Sequence, residues 1–441
     1  MSQRSAAELA ALDRRVLWHP FTQQQGWNDE DAPVIGGAQG CTLWDVEGNA
    51  FLDGVSSLWC NVHGHRHPHI DAAVRAQLDR VAHSTMLGLT HEPAIELASR
   101  LVDLAPPGIS RVFYSDNGST ANEIALKMAY QYHHQRGEWW RSGFICLRHA
   151  YHGDTIGSVS VGGIELFHAC YRPLLFETWQ AEPGDVEHME RLLARNADRL
   201  AAVIVEPLVQ GAAGILVQPP GYLRAVRELC DRHGVLLICD EVATGFGRTG
   251  TMFACEQEGV APDFLTLAKG ITGGYLPLAA TLTTERVYEG FLGGFEELRT
   301  FFHGHTYTGN PLACAAAIAT LEVFEQERTL ERLQGTIALL GDLLDEHVAP
   351  LESVREVRRC GTMTGIELTD FALPDRMGHQ VTLAARERGI IIRPLGDTVV
   401  LMPPLCITDD ELRRLVTVTA ESIRVATGAA AGAAAATAQS L

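Results

Sequence analysis

FLTLAKGITGGYLPLAATLTT, residues 264–284, opens on an apolar run the length of a buried strand and then delivers Lys269, the only charged residue of the segment. A solvated face does not read that way. An ammonium in apolar surroundings is costly unless it is paired or neutral, and covalent linkage as an imine removes much of that cost. Gly270 and the Gly273-Gly274 pair let backbone come close to a ligand.

Upstream, VLLICDE (235–241) is a second apolar run, ending in Asp240 and Glu241. An aspartate at a strand's carboxyl end suits a protonated ring nitrogen, although an acidic pair there also serves purely structural ends. Further out, RVFYS (111–115), FICL (144–147) and AAVIV (201–205) have the same character, with helical patterns over Ser119–Gln135 and Tyr222–His233. Strand and helix in alternation predict an α/β fold with a mainly parallel sheet covered on both faces, and such sheets place ligands at the carboxyl ends of their strands.

The chain ends differ from this middle. Trp44–Asn49 reads as a turn between two strand-like pieces, and the strand Val399–Met402 is stopped by Pro403 and Pro404. The expected division is therefore a small α+β domain built from residues 1–56 and 328–427, a large domain over 57–327, and a disordered alanine-rich tail over 428–441.

Composition narrows the partners. Of 441 residues, 54 are acidic and 35 basic, a net charge of −19, which argues against a nucleic-acid or anionic-membrane binder. No signal-peptide pattern and no bilayer-length apolar run is present, so a cytoplasmic protein is expected. The ten cysteines are scattered without a C-x-x-C pair, which predicts neither a disulfide framework nor a zinc ribbon. Only Lys127 and Lys269 are lysines. A lysine kept where arginine serves elsewhere can be kept for amine chemistry; Lys127, four residues after Glu123, reads instead as one half of a helix-surface ion pair.

Three further motifs have two readings each. Asp116-Asn117-Gly118-Ser119-Thr120, between a strand and a helix, is a phosphate cradle or an ordinary N-cap. Gly245–Gly250 matches G-x-G-x-x-G but opens no clear helix, which weakens a nicotinamide dehydrogenase reading. His63, His65, His67 and His69 alternate as metal ligands would, yet Gly64 and Pro68 favour a loop, and no metal is expected.

From about Trp18 to Val418 the chain resembles the class III (ω) aminotransferases, fold-type-I enzymes that use pyridoxal 5′-phosphate. The resemblance rests on Trp18–Thr22, Asp53–Trp59, Tyr151–Asp154, Asp240–Gly250, Lys269, His303–Thr306 and Arg393–Gly396. It implies that Lys269 bonds the cofactor and moves protons, that Asp240 pairs the ring nitrogen, and that Val242 and Tyr151 pack on the two ring faces. Gly118 and Ser119 would hold the phosphate with Thr306 of a second subunit, making a homodimer with its active site at the interface. Arg393 would take the substrate carboxylate, with Phe21, Trp59 and Gly304 also on the substrate side. Within the family the pattern implies amination of the keto amino acid 8-amino-7-oxononanoate in biotin biosynthesis. The implied donor is S-adenosylmethionine; the alternatives are the same reaction with lysine as donor, or another class III ω-amine transaminase, because Phe21, Leu58 and Leu395 stand where the best-known members carry Tyr, Trp and Phe, and His305 replaces a proline.

Overall fold

After two helices, Ala6–Val16 and Gln24–Asp29, come three short strands, β1 (Ile35–Gln39), β2 (Thr42–Asp45) and β3 (Ala50–Asp53), paired antiparallel in a meander. Residues 4–438 are described in this computed structural model, with side chains through residue 428. Asp45 accepts backbone N–H bonds from Glu47 and Asn49, which closes the turn read at Trp44–Asn49.

The central sheet has seven strands. In chain order they are β4 (Ile109–Ser115), β5 (Gly143–Leu147), β6 (Thr178–Ala181) and β7 (Leu200–Val205), then, after a small hairpin of β8 (Val209–Gln210) and β9 (Leu216–Val217), β10 (Leu236–Asp240), β11 (Phe264–Leu267) and β12 (Ala279–Thr284). Their spatial order is β4-β12-β11-β10-β7-β5-β6. Pairing is parallel from β11 across to β6, whereas β12 runs antiparallel to both β11 and β4. The sheet is thus mixed at one strand. The reason is length: a parallel return needs a crossover of a dozen or more residues, and Ala268–Leu278 is too short to supply a covering helix.

Both faces are covered, as period-2 burial requires. Phe144, Cys146, Ala202, Ile204, Leu236 and Ile238 pack with Ile124, Ala125 and Met128 of the helix Gly118–Gln135. Their neighbours Ile145, Leu147, Val203, Val205, Leu237 and Cys239 face the other way, against Leu97, Met189, Val226 and Ala317 from four further helices. The helix Tyr222–His233 is bounded by Gly221 (φ 86°) and Gly234 (φ 63°), left-handed positions that glycine adopts without a Cβ penalty.

A second four-stranded sheet is formed by β13 (Val354–Cys360), β14 (Met363–Leu368), β16 (Arg393–Leu395) and β17 (Thr398–Leu401), while β15 (Ile390–Ile391) pairs parallel with β3. The two chain ends therefore share a sheet through Ile390 beside Leu52. The last helix is Asp409–Ala438, so the backbone is helical across residue 428, where the sequence suggested a disordered tail; runs of alanine favour helix over coil. Residues 439–441 of that tail lie outside the described residues. Among the described residues no helix is long and apolar enough to cross a membrane.

Candidate active site

Asp240 closes β10 and Lys269 follows β11, so neighbouring parallel strands deliver both into one cleft of about 760 Å³. Leu58, Trp59, Gly118, Ser119, Tyr151 and Val242 line the same cleft. The backbone at Lys269 is left-handed (φ 45°), as it is at Ser56, Ser57 and Trp59 (φ 52°, 59° and 63°). Non-glycine residues held there cost about 1–3 kcal/mol each, and two of them, Trp59 and Lys269, line this cleft.

Lys269 is largely buried with no carboxylate within ion-pair distance among the described residues, its Nζ lying 5.2 Å from the centre of the Trp59 ring. Burial pushes its pKa below the ordinary lysine value, against the opposing pull of Asp240 and Glu206. A neutral amine is the form that attacks a carbonyl.

Asp240 is held from three sides. Its Oδ2 accepts from His152 Nδ1–H (2.6 Å) and Asn122 Nδ2–H (2.8 Å), and its Oδ1 accepts the Val242 N–H (3.0 Å). Thr266 fixes Asn122 in turn, donating from its hydroxyl to Oδ1 (2.7 Å). A carboxylate so fixed, 3% exposed, is a preoriented acceptor for a further cationic donor.

The helix start at this turn is capped by Asn117 rather than Ser119. Asn117 is the N-cap of the helix Gly118–Gln135 and accepts the Thr120 N–H on its side chain (3.0 Å). Ser119 is thereby released from capping; its hydroxyl meets Thr155 Oγ1 (2.7 Å) at the cleft wall. A Cβ on Gly118 would come within 2.5 Å of Val242 Cγ1, so only glycine leaves the cleft open there. Helix N-terminus, glycine, two hydroxyls, a fixed carboxylate and an amine together fit a pyridoxal phosphate: phosphate, ring nitrogen and carbonyl each find a group of complementary chemistry.

Arg393 and Phe21 line an adjoining cavity of about 500 Å³ with Ser57. Phe21 stands edge-on to Tyr151, ring centres 6.4 Å apart, and Arg393 lies close enough for its charge to act on the Tyr151 phenol. Tyr151 donates to Asp154 (2.8 Å), and burial first, then this bond, pushes its pKa up. Gly304 and Thr306 are exposed and line neither cavity of this chain.

Sequence reasoning left His152, Asn122, Thr155 and Glu206 without roles. Glu206 had a readable signal, since it follows β7 as Asp240 closes β10; the other three are recognisable only by what they touch. Lys127 differs from its expectation. It donates to His303 Nδ1 (2.9 Å), while Glu123 accepts the Gly157 N–H (2.7 Å), so the helix-surface pair is not made. The Gly245–Gly250 segment wraps the buried Arg248, which donates to Pro403 O (2.6 Å) and Asn61 O (2.8 Å). His65, His67 and His69 pair with Asp53, Glu327 and Glu322, and His63 Nε2 reaches Thr320 O.

Comparison with known proteins is consistent with this geometry. The family described as aminotransferase class-III matches residues 27–423. The chain is 58% identical over 439 residues to the adenosylmethionine-8-amino-7-oxononanoate aminotransferase of Nitratidesulfovibrio vulgaris, covering 93% of this chain and 80% of that one. It is 49% identical to the protein of the same name from Geobacter sulfurreducens, covering 94% and 97%. Among solved structures, the protein of that name from Methanocaldococcus jannaschii superposes with a TM-score of 0.94 at 43% identity, covering 95% and 99%. An amine transaminase from an uncultivated Pseudomonas species, in its PLP-bound form, gives 0.86 at 36% identity, covering 92% and 98%.

Proposed function

Because the chain belongs to the class-III aminotransferases, we propose that it aminates 8-amino-7-oxononanoate to 7,8-diaminononanoate in biotin biosynthesis, with pyridoxal phosphate as cofactor and S-adenosylmethionine as donor. The observation that carries this reading is the unpaired, largely buried Lys269 amine beside the fixed Asp240 carboxylate, in a chain 58% identical to a relative named for that substrate.

When bound, the cofactor supplies an electrophilic carbonyl and an electron-withdrawing ring. Lys269 Nζ would hold it covalently and, when freed, take and return the proton at the substrate carbon that gains or loses nitrogen. Asp240, oriented by His152 and Asn122, would keep the ring nitrogen protonated. Tyr151 and Val242 would bracket the ring, and Gly118 and Ser119 would hold the phosphate at the helix N-terminus. Thr306, exposed in the single chain, would complete that phosphate site in a partner subunit, which makes the working unit a homodimer. Arg393 would take the acceptor's carboxylate, with Phe21, Trp59 and Gly304 shaping the approach.

Lysine as donor is the second reading. Leu58 lines the cleft, half exposed, and offers no aromatic face to a sulfonium. Incubation with acceptor and each donor separately, with mass-spectrometric detection of 7,8-diaminononanoate, tests both. Product from S-adenosylmethionine is expected; product from lysine alone reverses the donor, and product from neither refutes the substrate.

A further inference from the structure

Glu206 is a carboxyl the amine-transfer machinery above does not use. It follows β7, is 5% exposed, and lines the same cleft as Lys269 and Asp240. Its oxygens each accept one backbone N–H, Oε1 from Tyr151 (3.3 Å) and Oε2 from Gly211 (2.8 Å). No lysine, arginine or histidine pairs with it among the described residues. A carboxylate offers about four lone-pair sites, so roughly half of its acceptor capacity is unspent. Buried acids without a cation are costly and rare.

What the cleft brings beside it is aromatic. A Cβ placed on Gly211 would lie 3.1 Å from Trp59 Cζ3 and 3.6 Å from Glu206 Oε2, so the indole and the carboxylate flank the same glycine. The Lys269 Nζ also lies over the Trp59 ring, 5.2 Å from its centre. Lys269 makes no ion pair with Glu206 among the described residues, so an acid and an aromatic wall line one cleft with no cation paired to the acid. That combination recognises a primary ammonium.

We propose that Glu206, with Trp59, binds the amine adjacent to the reacting carbonyl of the acceptor, and so selects a vicinal amino ketone over a plain ketone. The inference rests on the amine-transfer reading above and names the part of the substrate that reading leaves without a partner: Arg393 takes the far carboxylate, and Glu206 takes the near ammonium. Burial pushes the free carboxyl up to about 7, so a bound cation would also convert it to the charged form.

The test compares 8-amino-7-oxononanoate with 7-oxononanoate, which lacks only the amine, using one working donor and the holoenzyme. Glu206→Gln should raise KM and the calorimetric Kd for the amino ketone about 10- to 100-fold, the range for losing a charge-assisted hydrogen bond, and change the plain ketone by less than about threefold. Glu206→Asp should recover part of the loss. Equal losses on both acceptors, or none on either, overturn the proposal.

If Glu206→Gln does not fold, the wild type alone decides. Lys269, Asp240 and His152 are the titratable groups whose charges act on this carboxyl from the neighbouring elements, while Tyr151 reaches it through its backbone N–H. The preference for the amino ketone should shrink by up to about tenfold per unit as pH falls below about 7, because the neutral acid no longer attracts the ammonium. A pH-independent preference, or none, overturns the proposal. Wild type that aminates neither compound refutes the substrate reading itself, which is a separate result.

Discussion

Arg393 should show stability and function moving in opposite directions. Its guanidinium is half-buried, burial lowers its pKa, and no carboxylate pairs with it among the described residues. Arg393→Met keeps the length of the apolar stem and removes a partly desolvated charge. Removing one partner of a buried ion pair costs about 3–5 kcal/mol because the other charge is stranded. Here nothing is stranded, so the change should lie between zero and a gain of about 1 kcal/mol. Substrate binding loses a charge-assisted, two-pronged contact worth about 1.5–3 kcal/mol, roughly one to two decades in affinity. Urea unfolding of the cofactor-loaded variant reads the first quantity, and KM for the acceptor against its carboxamide analogue reads the second. A destabilisation beyond about 2 kcal/mol at unchanged m-value, or equal losses for acid and carboxamide, would refute the reasoning.

Lys269→Ala should abolish the borohydride-reducible adduct and turnover, because Lys127, the other lysine, is committed to His303 away from the cleft; a retained reducible adduct would sink the assignment. Asp240→Asn leaves one oxygen for three donors, so a buried N–H loses its partner at about 1–3 kcal/mol and the proton-transfer half-reaction slows; half-reaction rates within about twofold of wild type would remove Asp240 from that role. Glu206 gives a pH test on the cofactor-free protein. Its folded pKa of about 7 lies above the ordinary value of 4.5, so unfolding releases a proton between them and this group's contribution falls as pH rises through that window. The stability difference between Glu206→Gln and wild type should therefore shift in the variant's favour from pH 4.5 to 7, by up to a few kcal/mol, and a flat difference in urea midpoints would contradict the raised pKa.

Much of this site was legible because its markers are local. Apolar runs of strand length located β4, β5, β7, β10 and β11 to within two residues at either end, and Tyr222–His233 was read with both its helix bounds as found. Lys269 stood out by charge contrast with its neighbours, and Asp240 by its place at the end of an apolar run. Such signals need only a few residues, since burial on both sheet faces imposes continuous hydrophobicity and the strand end is where polarity returns. Motif resemblance added Tyr151, Val242 and Arg393, whose local sequence says nothing of the kind.

The rest depended on which elements meet. β12 was missed because its small and threonine residues lack the apolar signature, and its direction follows from a link too short for a crossover. Whether Asn117 or Ser119 caps the helix is a matter of side-chain direction, and only Asn117 turning back on Thr120 releases Ser119 to the cleft. His152 and Asn122 act on Asp240 across 88 and 118 residues of chain, and β15 reaches β3 from the far end. Period and propensity describe a residue's neighbours along the chain, whereas a buried hydrogen bond is set by neighbours in space. What the residues could do chemically was therefore written in their order; which of them share a cleft was decided by the folding of the sheet.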